Sequence, residues 1–475
     1  MSIVRRARTL RGISNAVAHR HCIGIPIGIR ALHVLLLLLI PCFGFCDAPL
    51  DRFEQIIEPS VTSNRFMGAV LVAKDGAPLL DKGYGYANLE WQIPNTPTTK
   101  FRLGSLTKQF TAAAILLLEE RGKLKLDDPV KRYLPDAPAA WDKITIFNLL
   151  THTSGLPSFT EFSEKEGQNT IPTTPQQLVA RFRYKPLDFK PGEGWHYSNS
   201  GYVLLGCLIE TISGQHYADF LRENIFAPLG MHDSGYDSNE SIIPRRAQGY
   251  SPGKEEPQNA GYVHMSVPFS AGGLYSTTHD LLLWEDGLFG GKVLSAASLK
   301  EMTSPFKENY ALGVFVGEHQ GHKVVYHDGD IEGFDTYMAY YPADKVVVVV
   351  LGNVQSRAIS GIGAKLGIVA NGGKIVPTSE RKAVSVPRSV LEKYVGTYAL
   401  APTFKLHFFL DGDQLMTQAT GQAAIAVFAE SETEFFLKEV DASITFVKNA
   451  SGDVMSVVLH QNGRDVPGKR EQHLF

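Results

Sequence analysis

Apolar and polar positions divide the chain into stretches of different texture. At residues 66–89, FMGAVLVAKDGAPLLDKGYGYANL sets two apolar runs on either side of Lys74-Asp75-Gly76. Such runs about an Asp-Gly pair predict a β-hairpin, and a helix-like stretch precedes it. From Leu106 to Arg121 apolar residues recur at three- and four-residue intervals (Phe110, Ala114, Leu117, Leu118), which predicts a helix closed by Gly122. Residues 123–270 mix helices with Pro/Gly/Ser-rich loops, and GYVLLGCLIETISG is the clearest helix among them. STTHDLLLWEDGLF, opened by capping hydroxyls, predicts another. Past residue 310, HKVVYHDGD, TYMAYYPADK and VVVVVLGN read as consecutive strands, the last an unbroken apolar run that suits a buried position. A helical stretch near 356–368 follows.

Strands at both ends with helices between them predict an α+β domain over residues 47–375. Its antiparallel sheet would be assembled from both ends of the domain and flanked by helices. Residues 376–388 (VPTSERKAVSVPR) are polar, carry two prolines and read as a linker. In residues 389–475, apolar runs broken by Gly/Asp turns predict a small all-β domain, barrel-like or a sandwich.

The first 46 residues differ from all of this. They hold six arginines (Arg5, Arg6, Arg8, Arg11, Arg20, Arg30) and no acid, then ALHVLLLLLI, then PCFGFC. A basic segment, a short apolar run and small residues before Asp47 predict a secretory signal, hence an exported, periplasmic or extracellular protein. The alternative is an uncleaved membrane anchor, although the apolar run is short for a bilayer. Without this segment 40 basic face 49 acidic side chains, a net charge of −9. No basic cluster remains to hold nucleic acid or an anionic membrane. Cys22, Cys42 and Cys46 fall in the signal, which leaves Cys207 alone in an apolar stretch and predicts no disulfide framework.

Chemistry must come from elsewhere than the common motifs: no GxSxG, HExxH, GxxxxGK[ST] or strand-borne GxGxxG is present. The histidines lack zinc-site spacing, and no cofactor is expected. Three short stretches stand out. In GSLTKQF, Ser105 and Lys108 are three residues apart, on one face if a helix begins there. Ser105 is then either a helix cap with Lys108 in solvent, or a nucleophile whose base is a lysine of depressed pKa. In WHYSNSGYVLLG, Tyr197-Ser198-Asn199 precede a helix; Tyr197 reads either as a proton shuttle or as a packed ring beside a capping serine. In VVYHDGD, His327 and Gly329 alternate onto one strand face, which is either a substrate edge or an ordinary turn.

Taken together, S-x-x-K, then Y-S-N about 90 residues on, then H-x-G about 130 further, resembles the serine β-lactamase and penicillin-binding-protein superfamily. The resemblance points to its branch of class C β-lactamases, D-Ala-D-Ala carboxypeptidases, D-aminopeptidases and esterases. LLTHTSGLP, FKPGEGWHYSNSGYVLLG, IFAPLGMHDS and SAGGLYSTTHDLLLW are similar to that branch as well, so the likeness spans roughly residues 50–370. It implies an antiparallel sheet flanked by helices with an all-helical subdomain, and a tail like the small barrel-like domain of some members. It also implies Ser105 as the acylated nucleophile, with Lys108 and Tyr197 as coupled base and proton shuttle. Asn199 would bind a substrate amide or hold Lys108. His327 would lead the third motif, beside Gly329, and the backbone N–H groups of Ser105 and Asp330 would form the oxyanion hole. His152 and His279 read as structural.

One departure bears on substrate. The middle of the third motif usually carries a hydroxyl residue that helps hold a carboxylate; here it is Asp328, with Asp330 two places on. Acid facing acid would repel unless His327 is protonated or an arginine intervenes. The expectation is an acyl-enzyme hydrolase with poor β-lactam turnover that takes small peptides bearing D-residues first and small esters second. The reading from another class is a non-catalytic, penicillin-binding-protein-like binding module.

Overall fold

The computed structural model describes residues 48–162, 169–253, 256–375, 381–401, 404–440, 442–449, 451–461 and 464–471. The predicted signal, residues 1–46, and residues 376–380 of the predicted linker lie outside these. Among the described residues no helix is long and apolar enough to cross a membrane.

One six-stranded antiparallel sheet organises the larger domain. Its strands are β1 (Gly68–Lys74), β2 (Ala77–Tyr84), β3 (Phe315–His319), β4 (His322–Ile331), β5 (Phe334–Tyr341) and β6 (Val346–Gly352), in the order β3-β4-β5-β6-β1-β2. The N-terminal hairpin thus pairs with the last strand, with Val70 opposite Val350 and Leu71 opposite Val349. Helices cover both faces, which explains why VVVVVLG is apolar at every position: all seven residues are buried. Val70, Val72, Val348 and Val350 pack against α1 (Ala48–Thr62) and the C-terminal helix Ile359–Ala370 through Phe53, Ile57, Ile362 and Leu366. The alternate residues Leu71, Val347, Val349 and Leu351 face the helical half of the domain.

At the heart of that half lies α2 (Thr107–Glu120). Its sequence pattern shows a stripe, yet every residue from Thr107 to Leu118 is buried. A helix closed in on all sides must satisfy its polar side chains internally. Thr111 donates to the Ser270 carbonyl at 2.7 Å, and Gln109 accepts from the Trp284 indole at 3.3 Å. Two further predicted helices pack around it as α3 (Asn199–Ser213) and α4 (Thr278–Phe289); Ile359–Ala370 is α5.

Residues 381–387 carry no regular element, and eight strands between Gly396 and Arg470 then close into an antiparallel barrel. Closure comes from Tyr398 and Ala399 of the first strand, which pair with Arg470 and Lys469 of the last. Tyr394, Tyr398, Phe408 and Phe446 pack together in its core. A closed barrel leaves no free sheet edge.

Candidate active site

Ser105 lies in a single 3-10 turn, Gly104–Leu106, directly ahead of α2. It does not cap the helix: the position flanking α2 is Leu106, with no side-chain cap bond, so the serine hydroxyl is left for other partners. The turn presses against the end of β4. A Cβ on Gly329 would sit 2.1 Å from the Leu103 carbonyl oxygen, and one on Gly104 (φ +52) 2.9 Å from the Asp330 nitrogen. Only glycine permits that approach. Thr336 pins the turn by donating to the Leu103 carbonyl at 2.7 Å. The backbone nitrogens of Ser105 and Asp330 thereby come to lie on two facing segments.

Lys108 is fully buried. Its Nζ lies 2.8 Å from Asn199 Oδ1, 2.8 Å from the Ala271 carbonyl and 3.0 Å from Ser105 Oγ. It also stands 4.8 Å from the centre of the Tyr197 ring. Burial holds its pKa well below that of a free lysine, and the Asp328 carboxylate opposes this only in part. A neutral amine has two protons to give and one lone pair. With Asn199 Oδ1 and the Ala271 carbonyl as acceptors for its two protons, a neutral amine here would have its lone pair left for the Ser105 hydroxyl.

Asn199 opens α3, whose cap is Ser198. Its amide is oriented from both ends: Oδ1 accepts from Lys108 while Nδ2 donates to Thr160 Oγ1 at 3.0 Å. Asn199 thus contacts Lys108 and also borders the smaller recess beside Ser105. Tyr197 hydrogen-bonds Ser105, and burial raises its phenol well above the usual value, so it rests protonated. The buried His152 braces it, with ring centres 4.3 Å apart. His152 Nδ1 accepts from the Ser198 N–H at 3.0 Å, and the residue adopts a left-handed backbone (φ 57). Burial and the nearby Lys108 depress its pKa far below an ordinary histidine's, so it is a neutral prop. His279 is exposed and lies outside this cluster.

The third motif divides. His327 is buried beneath the aromatic group, its Nε2 3.2 Å from the Tyr310 hydroxyl, and borders neither recess beside Ser105. Asp328 is half-exposed and borders one of them, with its Oδ2 3.5 Å from Ser360 Oγ. Asp330 is held by Gln355. Arg357 borders the same recess. Thr160, Ala271, Tyr310 and Arg357 escape sequence reasoning. Ala271 acts through its carbonyl, and the other three are brought in from segments that carry no motif.

The two recesses meet at Ser105. One, of about 320 Å³, is bordered by Thr160, Asn199, Val263 and Val267. The other, of about 510 Å³, runs past Tyr197, Asp328 and Arg357 to the barrel.

A sheet wrapped by helices, with a serine and a buried lysine one turn apart at its edge, defines a β-lactamase/transpeptidase-like protein. Comparison with known proteins agrees. The Beta-lactamase family matches residues 53–366, and a domain of unknown function, DUF3471, matches residues 380–470. The chain belongs to the Beta-lactamase family, a superfamily of serine hydrolases that includes penicillin-binding proteins. It is 30% identical over 443 residues to penicillin-binding protein 4* of Bacillus subtilis, covering 87% of this chain and 97% of the relative. Among solved structures it resembles the octameric penicillin-binding protein homologue from Pyrococcus abyssi (28% identity, TM-score 0.63, 88% of this chain and 100% of that one). It also resembles the D-amino acid amidase of Ochrobactrum anthropi SV3 (27% identity, TM-score 0.60, 68% and 98%).

Proposed function

We propose that the protein is an exported serine hydrolase that cleaves peptides or amides of D-amino acids through an acyl-enzyme on Ser105. The observation that carries this is the buried Lys108, whose Nζ is held by Asn199 and the Ala271 carbonyl 3.0 Å from the Ser105 hydroxyl oxygen. Lys108 takes the Ser105 proton as Oγ attacks the carbonyl carbon. The backbone N–H groups of Ser105 and Asp330 receive the developing oxyanion, a contribution of about 3–4 kcal/mol per donor in comparable sites. As the C–N bond breaks, the departing amine takes the phenol proton of Tyr197, and Tyr197 is reprotonated by the proton that Lys108 took from the serine. Water then enters, the same groups work in reverse, and acid product and free Ser105 result.

Likeness to a D-amino acid amidase and to a D-stereospecific amidohydrolase from Streptomyces sp. supports the D-configured substrate. The leader-like residues 1–46 support export. Small esters are the second substrate class, since an alcohol leaves by the same route.

The test is intact-protein mass spectrometry after exposure to a fluorophosphonate and a labelled penicillin, alongside hydrolysis of paired D- and L-amino acid amides. The expected result is one adduct, absent in Ser105→Ala, and faster turnover of the D series. Ser105→Ala should lower kcat by about 10⁴-fold or more. A folded protein that takes up neither reagent is a binding module, and the proposal falls.

A further inference from the structure

The larger recess is a composite. Its inner border belongs to the catalytic domain: Tyr197, the β4 end at Asp328–Asp330, and Ile359–Ser360 at the start of α5. Its outer border belongs to the C-terminal barrel, through Leu400, Phe404, Leu459, Gln461 and Val466. These come from the barrel strands Gly396–Ala401, Phe404–Asp411, Val454–Gln461 and Arg464–Arg470, which are neighbours in its hydrogen-bonding order. Leu459 belongs to the barrel core, and Leu400, Phe404 and Val466 pack against that core, so the recess abuts the apolar interior of the barrel.

The chemistry of the site says which part of a substrate this recess receives. A departing amine must collect a proton from Tyr197, and Tyr197 borders the barrel-side recess, whereas Asn199 borders the smaller one. The bond that breaks therefore points its leaving group at the barrel. What the leaving group meets there is mixed near the serine and apolar farther out. Near the serine stand the carboxyl groups of Asp328, Asp330 and Asp335 against the single guanidinium of Arg357. Beyond them lie four apolar side chains and one amide.

We propose that the C-terminal barrel forms the outer wall of the leaving-group subsite, and that it selects departing amines or alcohols bearing an apolar side chain. The proposal rests on the acyl-enzyme reading above and deepens it. The reaction is unchanged: the Ser105 Oγ–carbonyl bond forms, the bond to the leaving nitrogen or oxygen breaks, and that atom takes the Tyr197 proton. The barrel acts by removing apolar leaving-group surface from water in the transition state.

The experiment uses the full chain and D-alanyl substrates that differ only in the departing group: ammonia, glycinamide, leucinamide, phenylalaninamide and free leucine. The quantity read is the ratio of kcat/KM between substrates. The native enzyme is expected to favour leucinamide and phenylalaninamide over glycinamide by about tenfold or more, the scale on which apolar pockets discriminate. Phe404→Ala and Leu400→Ala should each cut that ratio severalfold. Gln461→Lys, which removes no packing from the barrel core, should raise the ratio of free leucine to leucinamide severalfold by adding a cation to the outer wall of the recess. Fluorophosphonate labelling of each variant runs in parallel. Normal labelling with a native ratio that is flat, or with ratios that none of the three variants moves, overturns the barrel's role and leaves the hydrolase reading standing. Absence of labelling in the native chain overturns both.

Discussion

The two walls of the cleft are built on opposite plans. On the catalytic side Lys108 and His152 are out of reach of water, and the Nζ of Lys108 has a specific neighbour in each direction. On the barrel side Leu400, Phe404 and Val466 are half-buried apolar groups with no polar atom to orient. Proton transfer needs atoms placed to a few tenths of an ångström, which only a dry, hydrogen-bonded setting supplies. Selection of a leaving group needs only area and shape. The chemistry is therefore rigid and local, while the selectivity lies in a separate domain that can vary without disturbing it.

The contrast breaks most sharply at Lys108. Lys108→Met keeps the length of the side chain and removes the base, so kcat should fall by about 10³- to 10⁴-fold for every leaving group alike. A loss that depended on leaving group would place Lys108 in selection and blur the division. The same variant reads out burial. The folded pKa of Lys108 lies below its unfolded value, so its contribution to stability is present in alkali and is lost as pH falls toward the folded value. Relative to the native protein, Lys108→Met should gain up to about 1.4 kcal/mol per pH unit as pH falls from 10 toward 7 in urea unfolding. A constant difference across that range would mean the native amine is not desolvated.

A smaller effect is expected at His152, which touches the Tyr197 ring and not the serine. As a positioning residue, its replacement in His152→Asn should lower kcat by about tenfold with KM little changed. The acid limb of the rate profile should stay where Lys108 sets it, because His152 is neutral and takes no proton. A shift of that limb toward the ordinary histidine range would show that His152 titrates in the working enzyme. The least effect on turnover belongs to Glu285 on α4, which borders neither recess. Burial, and secondarily Asp286, push its carboxyl up to about 8. A raised folded pKa means the stability it allows is complete below about pH 4.5 and drains away as pH rises through 8. Glu285→Gln should therefore match the native melting temperature near pH 5 and exceed it by several degrees at pH 9, with kcat/KM unmoved. Parallel melting curves at both pH values would contradict this.

Much of the structure was legible in the linear pattern. The hairpin at 68–84, the strands from 322 to 352, α2, α3 and α4 all follow from runs whose period or continuity admits few alternatives, and the all-β tail follows from apolar runs cut by Gly/Asp turns. Short-range order of this kind is a property of neighbouring residues, so a sequence can state it. The pattern does not show how far burial extends: the polar residues Thr107, Gln109 and Thr111 of α2 are all inside. Ser105, which local chemistry would assign to a cap, makes no cap bond, because the chain tightens into a 3-10 turn against β4.

The sequence by itself determined which reactive groups the chain carries and, through S-x-x-K, Y-S-N and H-x-G, the family resemblance and hence the fold. Tertiary structure alone decided their states and surroundings. Lys108 is buried and held in place because residues 91 and 163 positions away supply two acceptors for it. His327 sits beneath Tyr310 instead of at the cleft. Asp328 shares its recess with Arg357 and with a barrel that begins some 70 residues later. Desolvation and enclosure depend on what arrives from far along the chain, and no local pattern encodes that.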